Sequence, residues 1–336
     1  MSPTTCFQPN RRSVLLVAEA AFVLSRPACA QGSSKVWRIA YLSSREAPKS
    51  LENDYLAAWL PRMRELGYVE GRDFTVTWHF GAGSDERLVA LASEIVQTKP
   101  DVIVALGTPA ARASQAATRT IPIVIAGVAD PVAFGLVASF ANPGGNITGP
   151  SIMAIDVAIK HLELLRAVVP AMSRVAVIFN PKNPIGPVAL QQVQTAAGTV
   201  GVTVLPFAAN DPSQIDAAFV AISRARADAL IVGPDPFFTG QARRFTDSAT
   251  ANRLPAIYSF TPFVEAGGLM CYGQNVYENT RRAADYVDRV FRGAKPSELP
   301  IERPTRLELI VNRHAARAIG LVLPRSILLR ADRVID

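Results

Sequence analysis

Apolar residues in this chain collect into short runs, and longer stretches with apolar positions at helical spacing separate them. The runs are Val36–Leu42, Phe74–Phe80, Val102–Leu106 and Ile121–Ala126, and similar ones return in RVAVIFN from Arg174, ADALIVG from Ala227 and PAIYS from Pro255. Short, β-branched and continuously apolar runs suit strands covered on both faces of a parallel sheet. The intervening pattern predicts helices at Leu51–Leu66, from Ser84 to about Thr98, at Val132–Phe140, at Asp156–Val169 and at Asn275–Arg292. A further strand, Arg306–Val311, and a helix from Arg313 close the chain. Strand and helix alternating in this way imply βαβ units with right-handed crossovers, an α/β fold of doubly wound parallel sheets.

The ends of the runs are punctuated. A polar residue followed by proline stands at Thr108-Pro109, Asp130-Pro131, Asn180-Pro181, Asp235-Pro236 and Thr261-Pro262. Such pairs predict helix starts, because the side-chain oxygen accepts an orphan N–H and proline has none to lose. Strand-to-helix turns of a doubly wound sheet all lie at its carboxyl edge, where open sheets bind ligands. These turns therefore describe a binding cleft.

The order of segments also repeats. RIAYLSS at Arg38 corresponds to RVAVIFN at Arg174, ELGYVEGRDFTV at Glu65 to TVGVTVLPF at Thr199, PDVIVALGTP at Pro100 to ADALIVGPDP at Ala227, and TIPIVIA at Thr120 to LPAIYSF at Leu254. Two copies of one half imply two similar lobes facing each other. NPGGNITGPS, from Asn142 to Ser151, interrupts the pattern near the midpoint and suits the first crossing between lobes. The expected division is a leader over 1–30, one lobe from 36–149 plus about 277–304, and a second from 150–276 plus about 305–336.

Length and composition agree: 336 residues with 49% hydrophobic and 19% charged positions exceed one usual domain and can fill two cores. The formal charge of +7 is spread along the chain without a basic cluster, so nucleic acid is not an expected partner. Arg11-Arg12, the apolar run Val14–Leu24 and Ala28-Cys29-Ala30 before Gln31 read as an export signal, although Glu19 interrupts the run. The arginine pair loosely resembles a twin-arginine signal. Cys29 could instead carry a lipid, but Arg26-Pro27-Ala28 before it suits lipidation poorly. Cleavage after Ala30 would also remove Cys6, leaving Cys271 alone and, beside apolar neighbours, buried and inert.

GTPAARASQAATRTIPIVIAGVADPVAFGLVASFANPGGNITGPS, from Gly107, resembles the signature block of the ABC transporter substrate-binding protein family with the type-I periplasmic-binding fold. That group includes tryptophan- and tyrosine-binding lipoproteins. VIFNPKNP, YGQNVYENTRRAADYVDRVFRGAKPSELPIE and IVNRHAARAIGLVLPRSILLRADRVI are similar to its later blocks, so the likeness runs from about Lys35 to Asp336. It implies two lobes joined by hinge strands, a small solute held between them, and delivery to an ABC permease and its ATPase from the periplasm. Pro150, after Thr148-Gly149, replaces the small β-branched residue usual there, which bears on the hinge and on Ser151.

Candidate ligand contacts follow from the turns. The Thr108 hydroxyl and the Ala110 N–H would meet a carboxylate at a helix start, and Asp130 would accept from an ammonium or hydroxyl; plain N-capping is the alternative for both side chains. Asn180 and Asp235 occupy the equivalent turns of the second lobe. Ser43 and Ser44 end the first strand, Ser259 ends another, and Tyr272 or Tyr258 could stack on a planar ligand or lie in a core. His161, beside Glu163 on a helix, is expected at a surface.

Enzyme motifs are lacking. His79, His161 and His314 have no metal-ligand spacing, GAGSDE at Gly81 lacks the third glycine of a dinucleotide loop, and no nucleophile elbow or phosphate loop occurs. We therefore expect an exported monomeric solute-binding protein without a cofactor. The alternative is an α/β enzyme with an unrecognised site in the same cleft.

Overall fold

The computed structural model describes residues 1–2 and 35–336, apart from 53, 153 and 305 and the side chains of 155 and 156. Cys6, Arg11-Arg12, Val14–Leu24 and Ala28-Cys29-Ala30 lie outside the described residues.

Two sheets organise the chain from Val36 onward. The first comprises β1 (Trp37–Ser43), β2 (Phe74–Phe80), β3 (Val102–Leu106), β4 (Ile123–Ala126) and β5 (Ile147–Thr148), ordered β2-β1-β3-β4-β5 with every neighbour parallel. The second contains β6 (Arg174–Phe179), β7 (Thr203–Ala208), β8 (Ala229–Val232), β9 (Ala256–Tyr258), β10 (Met270–Gly273), β11 (Glu308–Asn312) and β12 (Arg333–Ile335). Its order β7-β6-β8-β9-β10 copies the first sheet strand for strand, and β11 then adds antiparallel to β10. The repeat extends to detail: Asp101 Oδ2 accepts the Arg38 N–H at 2.8 Å, and Asp228 Oδ2 accepts the Arg174 N–H at 2.8 Å.

The sequence pattern explains the layers. Every residue of β3, β4 and β8 is buried, as strands covered by helices on both faces require. Burying each Val or Ile this way contributes about 1.5–3 kcal/mol. Ser84 caps the helix Asp85–Gln97 by accepting the Arg87 N–H.

The chain crosses between lobes three times. The first crossing leaves β5 through Gly149, whose φ is 132° and whose absent Cβ would lie 2.4 Å from the Ile125 carbonyl oxygen, so only glycine fits. Pro150 bridges to Glu302 on the third crossing, and the Ser151 N–H donates to the Glu302 carbonyl at 2.8 Å. The second crossing follows β10 and delivers the helix Val276–Phe291, capped by Asn275, back to the first lobe. There Phe291 stacks on Trp37 at 4.3 Å, Asp285 accepts from Arg62 Nε at 2.8 Å and Asp288 accepts from the Tyr68 hydroxyl at 2.9 Å.

Some expectations change. Val132–Phe140 is a series of turns, because Gly135 adopts φ 68° and the Asp130 carboxylate takes the Val132 and Ala133 N–H groups. The predicted Leu51–Leu66 helix starts late, as a 3-10 turn Tyr55–Ala58 leading into Trp59–Glu65, because Asp54 caps it by accepting the Leu56 N–H. Of the five polar-Pro pairs, Asp235-Pro236 alone is a side-chain-capped helix start. The helices at Gly107–Ala117 and Thr261–Glu265 begin at or before the threonine, and the one after Asn180-Pro181 waits until Ile185.

Candidate ligand-binding site

An order of 2-1-3-4-5 reverses direction between β1 and β3, and its copy does so between β6 and β8; ligands of open sheets lie at these switch points. The carboxyl ends of both sheets face each other across a narrow cavity. Its apolar wall is built from Leu106 at the end of β3, Ile185 after β6, Phe260 after β9, Ile152 on the first crossing and Val276 on the second. Its polar lining includes Thr108, Asn183, Asp235, Thr239, Asn279 and Thr280.

Among the described residues lining the cavity, Asp235 is the only charged one. It is 2% exposed and accepts from neutral donors: Asn180 Nδ2 at 3.0 Å and Asn183 Nδ2 at 2.8 Å on Oδ2, and the Phe238 N–H at 3.2 Å on Oδ1. Burial outweighs these hydrogen bonds and pushes its carboxyl up to about 6. Among the described residues it forms no ion pair, so its charge is not compensated by the protein.

The lobes touch around this space. Thr239 Oγ1 gives its hydrogen to the Pro236 carbonyl at 2.6 Å, so the Tyr55 hydroxyl donates to Thr239 Oγ1 at 3.0 Å across the lobes. Tyr55 is held by Arg45, whose guanidinium lies 4.8 Å above its ring while clamping Asp54 at 2.8 and 2.9 Å. Gly83 meets the second lobe edge-on: a Cβ there would lie 2.9 Å from the Asn210 carbonyl oxygen and 3.2 Å from the Phe237 ring. Gly107 does the same against Pro236, at 2.5 Å. The cleft is closed.

Of the sequence candidates, Thr108 and Asp235 line the cavity, and the others do not. Thr108 is not the N-cap. Its helix begins at Gly107, where φ is 80°, with Leu106 at the cap position. Ala110 is then the fourth helical residue, whose N–H the helix itself uses, so it offers no orphan donor. Asp130 is half-buried and spent on its own turn. Ser43 accepts the Arg45 N–H, and Ser44 is buried with a hydroxyl that lacks a protein partner. Ser151 donates its hydroxyl to the Glu302 carbonyl and is a hinge residue. Asn180 acts behind Asp235, and Ser259 faces the Val232 carbonyl inside the second lobe.

Tyr272 packs on the second core, where His161, expected at a surface, is buried and donates from Nε2 to the Tyr272 carbonyl at 2.6 Å. Burial lowers the His161 imidazole to about 4, so it stays neutral. Tyr258, stacked on Phe263 at 4.7 Å, is a core residue, and Cys271 is buried as expected.

Sequence reasoning missed Tyr55, Asn183, Asn279 and Thr280. Asn183-Pro184 carried the same polar-Pro signal as Asn180-Pro181, one turn later. The other three sit inside helices and have no local signature. No group of three or more His, Cys, Asp or Glu among the described residues could hold a metal, and no described helix is long and apolar enough to cross a membrane.

Comparison with known proteins places this geometry. The chain is 26% identical over 264 residues to the tyrosine-binding protein of Clostridioides difficile (strain R20291), covering 78% of this chain and 75% of that one. A conserved domain protein from Vibrio cholerae superposes with a TM-score of 0.81 at 27% identity, covering 89% of this chain and all of the other. The ABC domain from Streptococcus pneumonia in complex with L-Trp superposes at 0.79 with 23% identity, covering 90% of this chain and all of that one. The family described as ABC transporter substrate binding protein matches residues 60–335. With two lobes meeting around a shared cleft and that match across most of its length, the chain belongs to the ABC transporter substrate binding protein family.

Proposed function

We propose that the chain is exported, that its mature form begins at Gln31 in the periplasm, and that it works there as a monomer. It captures an amino-acid-like solute with an apolar or aromatic body and hands it to a permease with its ATPase. The observation that carries this reading is the single buried carboxylate, Asp235, set in an otherwise neutral, largely apolar cavity between the lobes. Asp235 faces the ammonium, and Thr108 with the first N–H groups of its helix faces the carboxylate. The apolar body lies against Ile185 and Phe260. The tyrosine-binding relative supports an amino-acid head group.

The first lobe comprises 36–149 plus about 277–304 and the second 150–276 plus about 305–336, so the solute bridges two bodies joined by three crossings. Calorimetric titration with L-tyrosine, L-tryptophan and a neutral sugar tests the reading. Saturable heat from an amino acid supports it, whereas heat from the sugar alone sinks it. N-terminal sequencing of periplasmic material tests export; an intact Met1 on cytosolic protein refutes it.

A further inference from the structure

Resting on the proposed amino-acid reading, the charge inventory of the cleft goes further. Several polar groups of the lining are spent on the protein itself, although the Thr108 and Thr280 hydroxyls are not. Tyr55 gives its hydrogen to Thr239 and Thr239 gives its own to Pro236, while Asn279 donates to the Ser151 carbonyl at 3.1 Å. The helix start that would meet a carboxylate offers neutral donors only, the Gly107 and Thr108 N–H groups and the Thr108 hydroxyl, because Pro109 has no N–H and the Ala110 N–H belongs to the helix. Among the described residues, no Arg, Lys or His lines the cavity. A zwitterion closed inside therefore leaves one net negative charge buried, whereas a cationic amine leaves none, and buried charge is expensive unless paired.

We propose that the cleft recognises its solute through the amine and does not require the carboxylate, so that primary arylalkyl amines are ligands of the same site. The carboxyl of Asp235, held high by burial without a cationic neighbour, supports this, since a cation beside it would favour the charged form and offset the shift.

Three probes that share one aromatic body separate the head groups in calorimetric titrations of the purified chain at pH 7.5: L-tyrosine, tyramine, which lacks the carboxylate, and hydroxyphenylpropionate, which lacks the amine. Tyramine is expected to bind within tenfold of L-tyrosine or more tightly, and the acid at least a hundredfold more weakly than tyramine. Asp235→Asn keeps the shape and a capping oxygen, and it should weaken tyramine about ten- to a hundredfold without weakening the acid; circular dichroism checks its fold. L-Tyrosine binding with tyramine more than a hundredfold weaker would overturn the amine-centred reading and leave the proposed function standing. Silence from all three probes would overturn both.

Discussion

Closure can be blocked without touching the ligand. Gly83 sits in a first-lobe loop at φ 79°, and its missing Cβ would be 2.9 Å from the Asn210 carbonyl oxygen and 3.2 and 3.3 Å from Phe237 ring atoms. Neither neighbour can retreat: one is backbone and the other is a fully buried ring at 0% exposure. Gly83→Ala therefore carries two separable costs. The left-handed φ costs about 1–2 kcal/mol whether the lobes are open or closed. Overpacking costs about 1–3 kcal/mol more, but only in the closed state, because opening the lobes relieves the contact.

If solute is held only by the closed form, the second cost reads directly as affinity, about five- to 150-fold weaker. Gly67→Ala is the control, since Gly67 has φ 94° with nothing within 4 Å of its would-be Cβ. Both variants should lose comparable stability in urea denaturation. In calorimetric titration with L-tyrosine, Gly83→Ala alone should bind more weakly, and small-angle scattering at equal ligand should show it more extended. Gly83→Ala binding within twofold of the parent would refute the wedge argument.

Three further outcomes are expected. The Asp235 carboxyl is raised from 3.8 to about 6, so its contribution to the stability of the ligand-free chain is full below pH 3.8 and lost as pH rises through about 6. That loss is on the order of 3 kcal/mol, and Asp235→Asn should flatten urea-denaturation stability between pH 4 and 6. Tyr55→Phe removes the cross-lobe bond to Thr239 and should weaken L-tyrosine binding about fivefold by titration, with little change in the thermal midpoint. Phe291→Ala removes a ring stacked on Trp37 and should cost about 3–5 kcal/mol in urea denaturation.

The legible part of this molecule is the part where one physical effect dominates. Strands buried on both faces write continuous apolar runs, so β3, β4 and β8 stand where the pattern places them. Turn chemistry is contested more locally. Gly107 in the left-handed region moves the helix start ahead of Thr108, and Gly135 breaks the helix that Asp130-Pro131 announces. The cleft was legible at Asp235, where capping, proline and strand end coincide. It was not legible at Tyr55, Asn279 or Thr280. Those side chains reach the cavity through a buried Arg45–Asp54 clamp and a helix returned from the other lobe, which are relations of tertiary structure alone.

The returning helix Val276–Phe291 also governs how the molecule comes into being. Its Asp285 and Asp288 bond partners at Arg62 and Tyr68, more than 200 positions earlier in the chain. A polypeptide threaded from its N-terminus would thus present β1 to β4 long before their covering helix exists, with apolar surface such as Trp37 left bare. Its long-range closure predicts slow assembly, and the early-emerging half needs shielding from aggregation until the last fifth of the chain arrives. The same ordering delays the finished cleft until both lobes are complete.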